Sequence, residues 1–224
     1  MKRLYKILFI IWLICVAGTV VFLILSPDRI PAHYNFSGEV DRFGSKDENL
    51  IWPLFAILLG LFFVLMARRA RRAEESANEK ILMITGVFTL AFFTLLGFFF
   101  MIKALRYDPS AAPKMSYDDV NRFVNIGLGV LLVVMGNFMP KARKNAVFGI
   151  RTSWSLSSDS VWQKSQRFGG IVTVIGGLVL IILSLFVPGL WNLLVLAVVL
   201  TVMIILCTAA SRRYYREEKA KGTA

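Results

Sequence analysis

Apolar and polar positions along this chain fall into long blocks instead of helical or strand periods. Six stretches contain no Asp, Glu, Lys, Arg or His: residues 7–25, 51–66, 81–102, 123–139, 168–187 and 190–210. Crossing about 30 Å of hydrocarbon at about 1.5 Å per residue takes about 20 residues. Each block is of that length, the two shortest (51–66 and 123–139) once a flanking turn is added. Lipid offers backbone groups no water, so each block must be helical. The pattern predicts an all-α integral membrane protein with six transmembrane helices, leaving only short loops and tails between them. The first block follows a basic start, Met1-Lys2-Arg3. Its apolar core is longer than that of a signal peptide, so it is read as an uncleaved helix.

Composition agrees: 57% of residues are apolar, 18% are charged and the mean hydropathy is +0.65. These values exclude an ordinary soluble domain and a disordered chain. Cys15 and Cys207 both fall inside apolar blocks, which excludes a disulfide framework. The net charge of +12 would suggest nucleic acid in a soluble chain. Here the cations follow topology instead. Nineteen of the 26 Lys and Arg lie in the N-terminal tail, the second and fourth loops and the C-terminal tail. The basic side is expected to be cytoplasmic, which places both termini inside and attracts anionic membrane lipid. No nucleic-acid partner is expected.

The first loop, 26–49, then faces outside. It is rich in Pro, Gly and Asp yet carries Ile30, Tyr34, Phe36, Val40 and Phe43. It is expected to form a compact cap, with a short strand over 30–36 and a turn at Ser37-Gly38-Glu39. The second loop, 67–80, reads as a solvated extension of the second helix. In the third loop Ser116 is expected to cap a short helix leading into the fourth span. In the fourth loop, 140–167, residues 145–155 show no helical period. Ser157 or Ser158 can cap a helix starting near Asp159. Trp154 and Trp162 suit a membrane interface. Pro188-Gly189 predicts a tight turn that folds spans five and six into a hairpin. The domain organisation expected is 1–67 as an N-terminal helix pair with the cap 26–49, then 68–122 as linker, third span and outer loop, then 123–224 as the C-terminal part.

Candidate chemistry is sparse. The blocks hold no ionisable side chain other than Cys15 and Cys207, which disfavours a proton or ion path. Asn125, Asn137 and Asn192 are expected to hydrogen-bond between helices, and Gly127, Gly129, Gly136, Gly169, Gly170, Gly176 and Gly177 to allow close helix approach. The single histidine, His33, lies in a loop without a nucleophile motif, so no enzyme, no cofactor and no metal site is expected. His33 with Glu39 and Asp41 is too weak a ligand set to count as a metal site. Lys46 is expected to pair with Asp41 or Asp47.

Two segments carry a resemblance. Residues 31–46, PAHYNFSGEVDRFGSK, resemble the extracellular segment P-x-H-[WYF]-N-x-x-G-x-x-D-x-x-G-S-K of a bacterial membrane domain of uncharacterised function that is often joined to SdpI-type proteins. Residues 145–158, NAVFGIRTSWSLSS, with Trp162 and Arg167 resemble the signature of the SdpI family of bacterial membrane immunity proteins. Ser153 stands where the family usually has Pro and Gln166 where it often has His, and each substitution is expected to loosen the loop. The resemblance implies a plasma-membrane protein giving resistance to a secreted antimicrobial peptide of the sporulation-delaying type. It also implies a receptor that holds a transcriptional repressor at the membrane. The ligand-facing residues would be His33, Tyr34, Asn35, Gly38, Asp41, Gly44 and Lys46. The cytoplasmic signature residues would be Asn145, Phe148, Gly149, Arg151, Thr152, Trp154, Ser157, Trp162 and Arg167. The alternatives are a small membrane transporter and an envelope structural protein without a toxin ligand.

Overall fold

The computed structural model describes residues 1–34, 40–73, 75–107, 117–145, 147–189 and 191–221. Among the described residues six helices are long and apolar enough to cross a membrane. They are α1 (Lys2–Leu25), α2 (Ile51–Arg72), α3 (Ser76–Leu105), α4 (Tyr117–Phe138), α5 (Asp159–Phe186) and α6 (Trp191–Ala220). Strands β1 (Arg29–Tyr34) and β2 (Val40–Ser45) form an antiparallel hairpin between α1 and α2. The expected strand is therefore β1, joined by a second. The expected turn at 37–39 and the expected cap at Ser116 lie outside the described residues.

The helices pack as two groups of three. α1, α2 and α3 contact one another, as do α4, α5 and α6, and α3 meets α4 between the groups. Large apolar side chains such as Ile24, Phe186 and Ile204 are exposed, each by two thirds or more. They form the surface that lipid covers. Because the helices alternate in direction, the hairpin and the α5–α6 turn share one end of the bundle, the cap end. Residues 139–158 and both termini share the other, the loop end.

Glycines set the closest contact. A Cβ built on Gly177 would sit 2.6 Å from the Gly129 carbonyl oxygen, and one on Gly170 would sit 2.7 Å from that of Gly136. The two pairs are one heptad apart on antiparallel helices, so the α4 and α5 backbones touch along a seam that a side chain would fill. At the cap end Asn125 and Asn192, both fully buried, join α4 to α6. Asn125 Nδ2 donates to the Asn192 carbonyl oxygen at 2.9 Å and to its Oδ1 at 2.6 Å. Asn121 Nδ2 donates to the carbonyl oxygen of Gly189, whose φ of 59° permits the tight turn. Asn137 is instead exposed and makes no such contact.

The second loop departs from expectation. α2 ends at Arg72 and α3 begins at Ser76, so Arg71 and Glu75 do not share one helix. Asn78 and Glu79 are buried rather than solvated. The cause is a tether to the loop after α4: Asn78 Oδ1 accepts from Arg143 N at 3.0 Å, and its Nδ2 donates to the Arg143 carbonyl oxygen at 3.3 Å.

Candidate functional surfaces

At the cap end the hairpin rests on the bundle through Ile30, which is buried with Phe22 and Met101. Its outer side is polar. His33 Nδ1 and Asp41 Oδ1 lie 2.6 Å apart across the strands and both residues are exposed. Arg42 donates two parallel hydrogen bonds to Glu48, each 2.9 Å, a bidentate pair that ties β2 to the turn leading into α2. Gly44 is required beneath it, because a Cβ there would fall 2.1 Å from Glu48 Oε1 and 2.9 Å from Ala32 Cβ. Lys46 pairs with Asp28 at 3.0 Å and donates to the Ser26 carbonyl oxygen at 3.4 Å, not with Asp41 or Asp47 as expected. The short helical turn that starts at Lys46 directs its side chain back to the end of α1. Phe43 is 42% exposed and meets Tyr107 edge to face, with ring centroids 5.6 Å apart. Tyr34 pairs with Val40 through the backbone at the end of the hairpin. Asn35 and Gly38 lie outside the described residues.

At the loop end, 142–158 has no regular element, yet side chains organise it throughout. Asn145 Oδ1 accepts from Val147 N at 2.8 Å and Phe148 N at 2.7 Å, while its Nδ2 donates to the carbonyl oxygens of Arg143 and Phe148. This side chain stands in for the backbone partners the loop lacks. Phe148 is buried with Met139 and Ala142 in the core of the first helix group. Gly149 has φ +100°, and a Cβ there would lie 2.3 Å from Gln166 Oε1.

Gln166 is 1% exposed and clamps Ile150 at both polar backbone atoms. Its Oε1 accepts from Ile150 N at 2.9 Å, and its Nε2 donates to the Ile150 carbonyl oxygen at 2.9 Å. A carboxamide offers an acceptor and a donor to the same residue, so this side chain holds the loop to α5. Ser155, fully buried, has its one hydroxyl hydrogen within reach of both the Ile150 and Thr152 carbonyl oxygens, and its Oγ also accepts from Thr152 N at 2.9 Å. Thr152 Oγ1 lies 2.6 Å from Ser211 Oγ of α6. Ser157 Oγ donates to the Trp154 carbonyl oxygen at 2.7 Å. Of the two cap candidates, Ser158 caps α5, accepting from Val161 N at 3.2 Å.

Trp162 is not an interface anchor. It is 1% exposed, and its Nε1 donates to the Ala142 carbonyl oxygen at 2.8 Å. Facing α4 instead of lipid, it holds the start of the loop against α5. Trp154 is half-buried, with the Arg212 guanidinium 5.7 Å over its ring. Arg151 and Arg167 are exposed and make no hydrogen bond or ion pair to other described residues. Of the nine signature residues, six thus build the loop, while Arg151, Arg167 and part of Trp154 face outward.

Sequence reasoning missed the fasteners outside the motif: Asn78, Ser211 and Glu218. Glu218 is 7% exposed, accepts from Ser160 Oγ at 2.9 Å and pairs with Lys164. Cys207, Ser211 and Glu218 are spaced four and seven apart, one helical face of α6, which was the available signal.

Residues 141–210, the loop end from its first turn through α5 and most of α6, match the SdpI/YfhL protein family. Through this region the chain is similar to the SdpI/YfhL family. Residues 10–59, which hold most of α1, the hairpin and the start of α2, match a domain of unknown function (DUF1648). The chain is 23% identical over 191 residues to the protein named Immunity protein SdpI of Bacillus subtilis (strain 168), covering 85% of this chain and 86% of that one. No solved structure matches the chain. With six helices among the described residues long and apolar enough to span, this protein is a multi-pass protein of the cell membrane.

Proposed function

We propose that this protein is a membrane immunity protein, protecting its cell from a secreted membrane-active peptide. The observation that carries the reading is the likeness to Immunity protein SdpI, which runs through 85% of the chain. A non-enzymatic role agrees with it. The Lys and Arg distribution supports a cap outside the cell and a loop inside it. In this reading the peptide meets the hairpin first. His33, Tyr34, Asn35, Gly38, Asp41, Gly44 and Lys46 would shape that surface, and exposed Phe43 offers an aromatic contact beside polar groups. The inner loop would dock a transcriptional repressor through Arg151, Trp154 and Arg167, held in place by the other signature residues.

Survival tests the reading. A Bacillus strain lacking its own immunity genes, expressing this chain, is plated with purified sporulation-delaying peptide. The expected result is growth at peptide concentrations that kill the empty-vector strain. Equal killing, with the protein verified in the membrane fraction, would refute immunity to that peptide. Substituting Arg151→Ala is expected to leave survival intact while removing repressor recruitment to membranes, read by fractionation.

A further inference from the structure

A cleft of about 640 Å³ opens at the loop end where α4 and α5 meet. Its walls carry Lys141, Arg143, Lys144 and Arg167 against Glu75 and Asp159. None of the four cations has an ion-pair partner among the described residues. Lys141 has only the Phe138 ring, 5.4 Å from its ammonium. Glu75 is already engaged, accepting from Asn78 Nδ2 at 2.6 Å. The cleft therefore holds a surplus of unneutralised positive charge. It also has rigid walls: Trp162 lines it with its indole N–H fixed on the Ala142 carbonyl oxygen.

The depth of these charges decides the ligand. Arg167 immediately precedes the apolar stretch of α5, and Lys141 lies just past the end of that of α4. Both stand where hydrocarbon gives way to headgroups. One helical face continues from Arg167 through Ile171, Ile175, Leu178 and Ile182, and these are 61%, 55%, 47% and 54% exposed. A cationic cleft thus opens onto an exposed apolar track running down the same helix. A soluble anion would use the first and ignore the second.

We propose that this cleft binds the phosphodiester headgroup of an anionic phospholipid, with the acyl chains lying along the exposed face of α5. Basic pockets between helices at the membrane boundary recognise such headgroups by this chemistry. The site shares Arg167 with the docking surface proposed above but does not rest on that reading, and it would pin the loop end of α5 to the bilayer surface.

The test uses the full-length protein in non-ionic detergent, titrated with short-chain phosphatidylglycerol, phosphatidylcholine or inorganic phosphate and read by native mass spectrometry. Phosphatidylglycerol is expected to bind one per chain, ahead of phosphatidylcholine, and equimolar phosphate is expected not to displace it. K144Q/R167Q and K141Q/R143Q remove two charges each by different routes, so a folding failure in one leaves the other. Each pair is expected to weaken phosphatidylglycerol binding about 25-fold, about fivefold per charge. R68Q/R69Q, at the end of α2, matches the loss of net charge outside the cleft and should bind as the parent does. Equal retention of the two lipids would overturn the proposal, as would wild-type binding by a folded cleft variant. Displacement by phosphate would assign the site to a soluble anion and overturn the lipid.

Discussion

Removing the Gln166 carboxamide should open the inner loop. Gln166→Ala deletes two hydrogen bonds to Ile150, each 2.9 Å. The Ile150 carbonyl oxygen keeps Ser155 Oγ at 2.9 Å, so only the Ile150 N–H is left without a partner. An orphaned donor costs about 1–3 kcal/mol and the other lost bond about 1 kcal/mol. Emptying a site that is 1% exposed adds about 1 kcal/mol for the missing methylene. The loop should lose about 3–5 kcal/mol against local opening. Limited trypsin digestion reads that opening, because Arg151 is exposed but held in a turn-rich segment that must unfold to enter a protease. Where reclosing outpaces cleavage, 3 kcal/mol raises the cleavage rate after Arg151 by about 100-fold. Gln166→His can restore one of the two bonds through one ring nitrogen, so its rate should fall between the two. A rate in Gln166→Ala within threefold of the parent, or Gln166→His cleaved faster than the alanine variant, would refute the clamp.

Other consequences are as direct. Asn125→Ala strips the Asn192 carbonyl and carboxamide oxygens of their donor and should cost about 1–2 kcal/mol, read as a lower Tm in detergent. Asn192→Ala should be strongly non-additive with it. Gly177→Leu forces a side chain into the 2.6 Å gap at Gly129 and should cost more than about 3 kcal/mol, seen as loss of monodisperse protein on size exclusion. Glu218→Gln breaks the pairing with Lys164 and should expose the end of α6 to protease without altering the digestion of α1. A double-mutant cycle on Arg42 and Glu48 should return little coupling, and less still in high salt, since both side chains are about half exposed.

The blocks of apolar residues made the helices legible because backbone satisfaction in lipid leaves one solution. Block edges do not show where a helix ends, and α2 and α3 illustrate why. α2 ends at Arg72 and α3 begins at Ser76 beside Asn78, whose partner Arg143 is 65 residues away in the chain. The glycine seam and the Asn125–Asn192 bond were legible as residue types suited to helix contact. Which residues would pair was not, because that depends on how α4, α5 and α6 are turned. Trp162 was misread because polar-tipped side chains near a membrane boundary look alike whether they face lipid or fold inward, and the hold of Gln166 on Ile150 was not foreseen. The partners that decide the matter, the Ala142 and Ile150 backbones, carry no side-chain signature. In the cap, Lys46 was assigned by nearness in sequence, whereas the turn it begins carries it to Asp28.

Protection of the membrane is the central claim, and membrane potential measures it most directly. Cells expressing the chain, and empty-vector cells, are loaded with a potential-sensitive dye and exposed to purified sporulation-delaying peptide. The account predicts collapse of the potential in empty-vector cells and its maintenance in expressing cells. It also predicts partial collapse when the hairpin is altered by His33→Ala and Phe43→Ala, at unchanged protein abundance. Collapse at the same rate with and without the protein would contradict it.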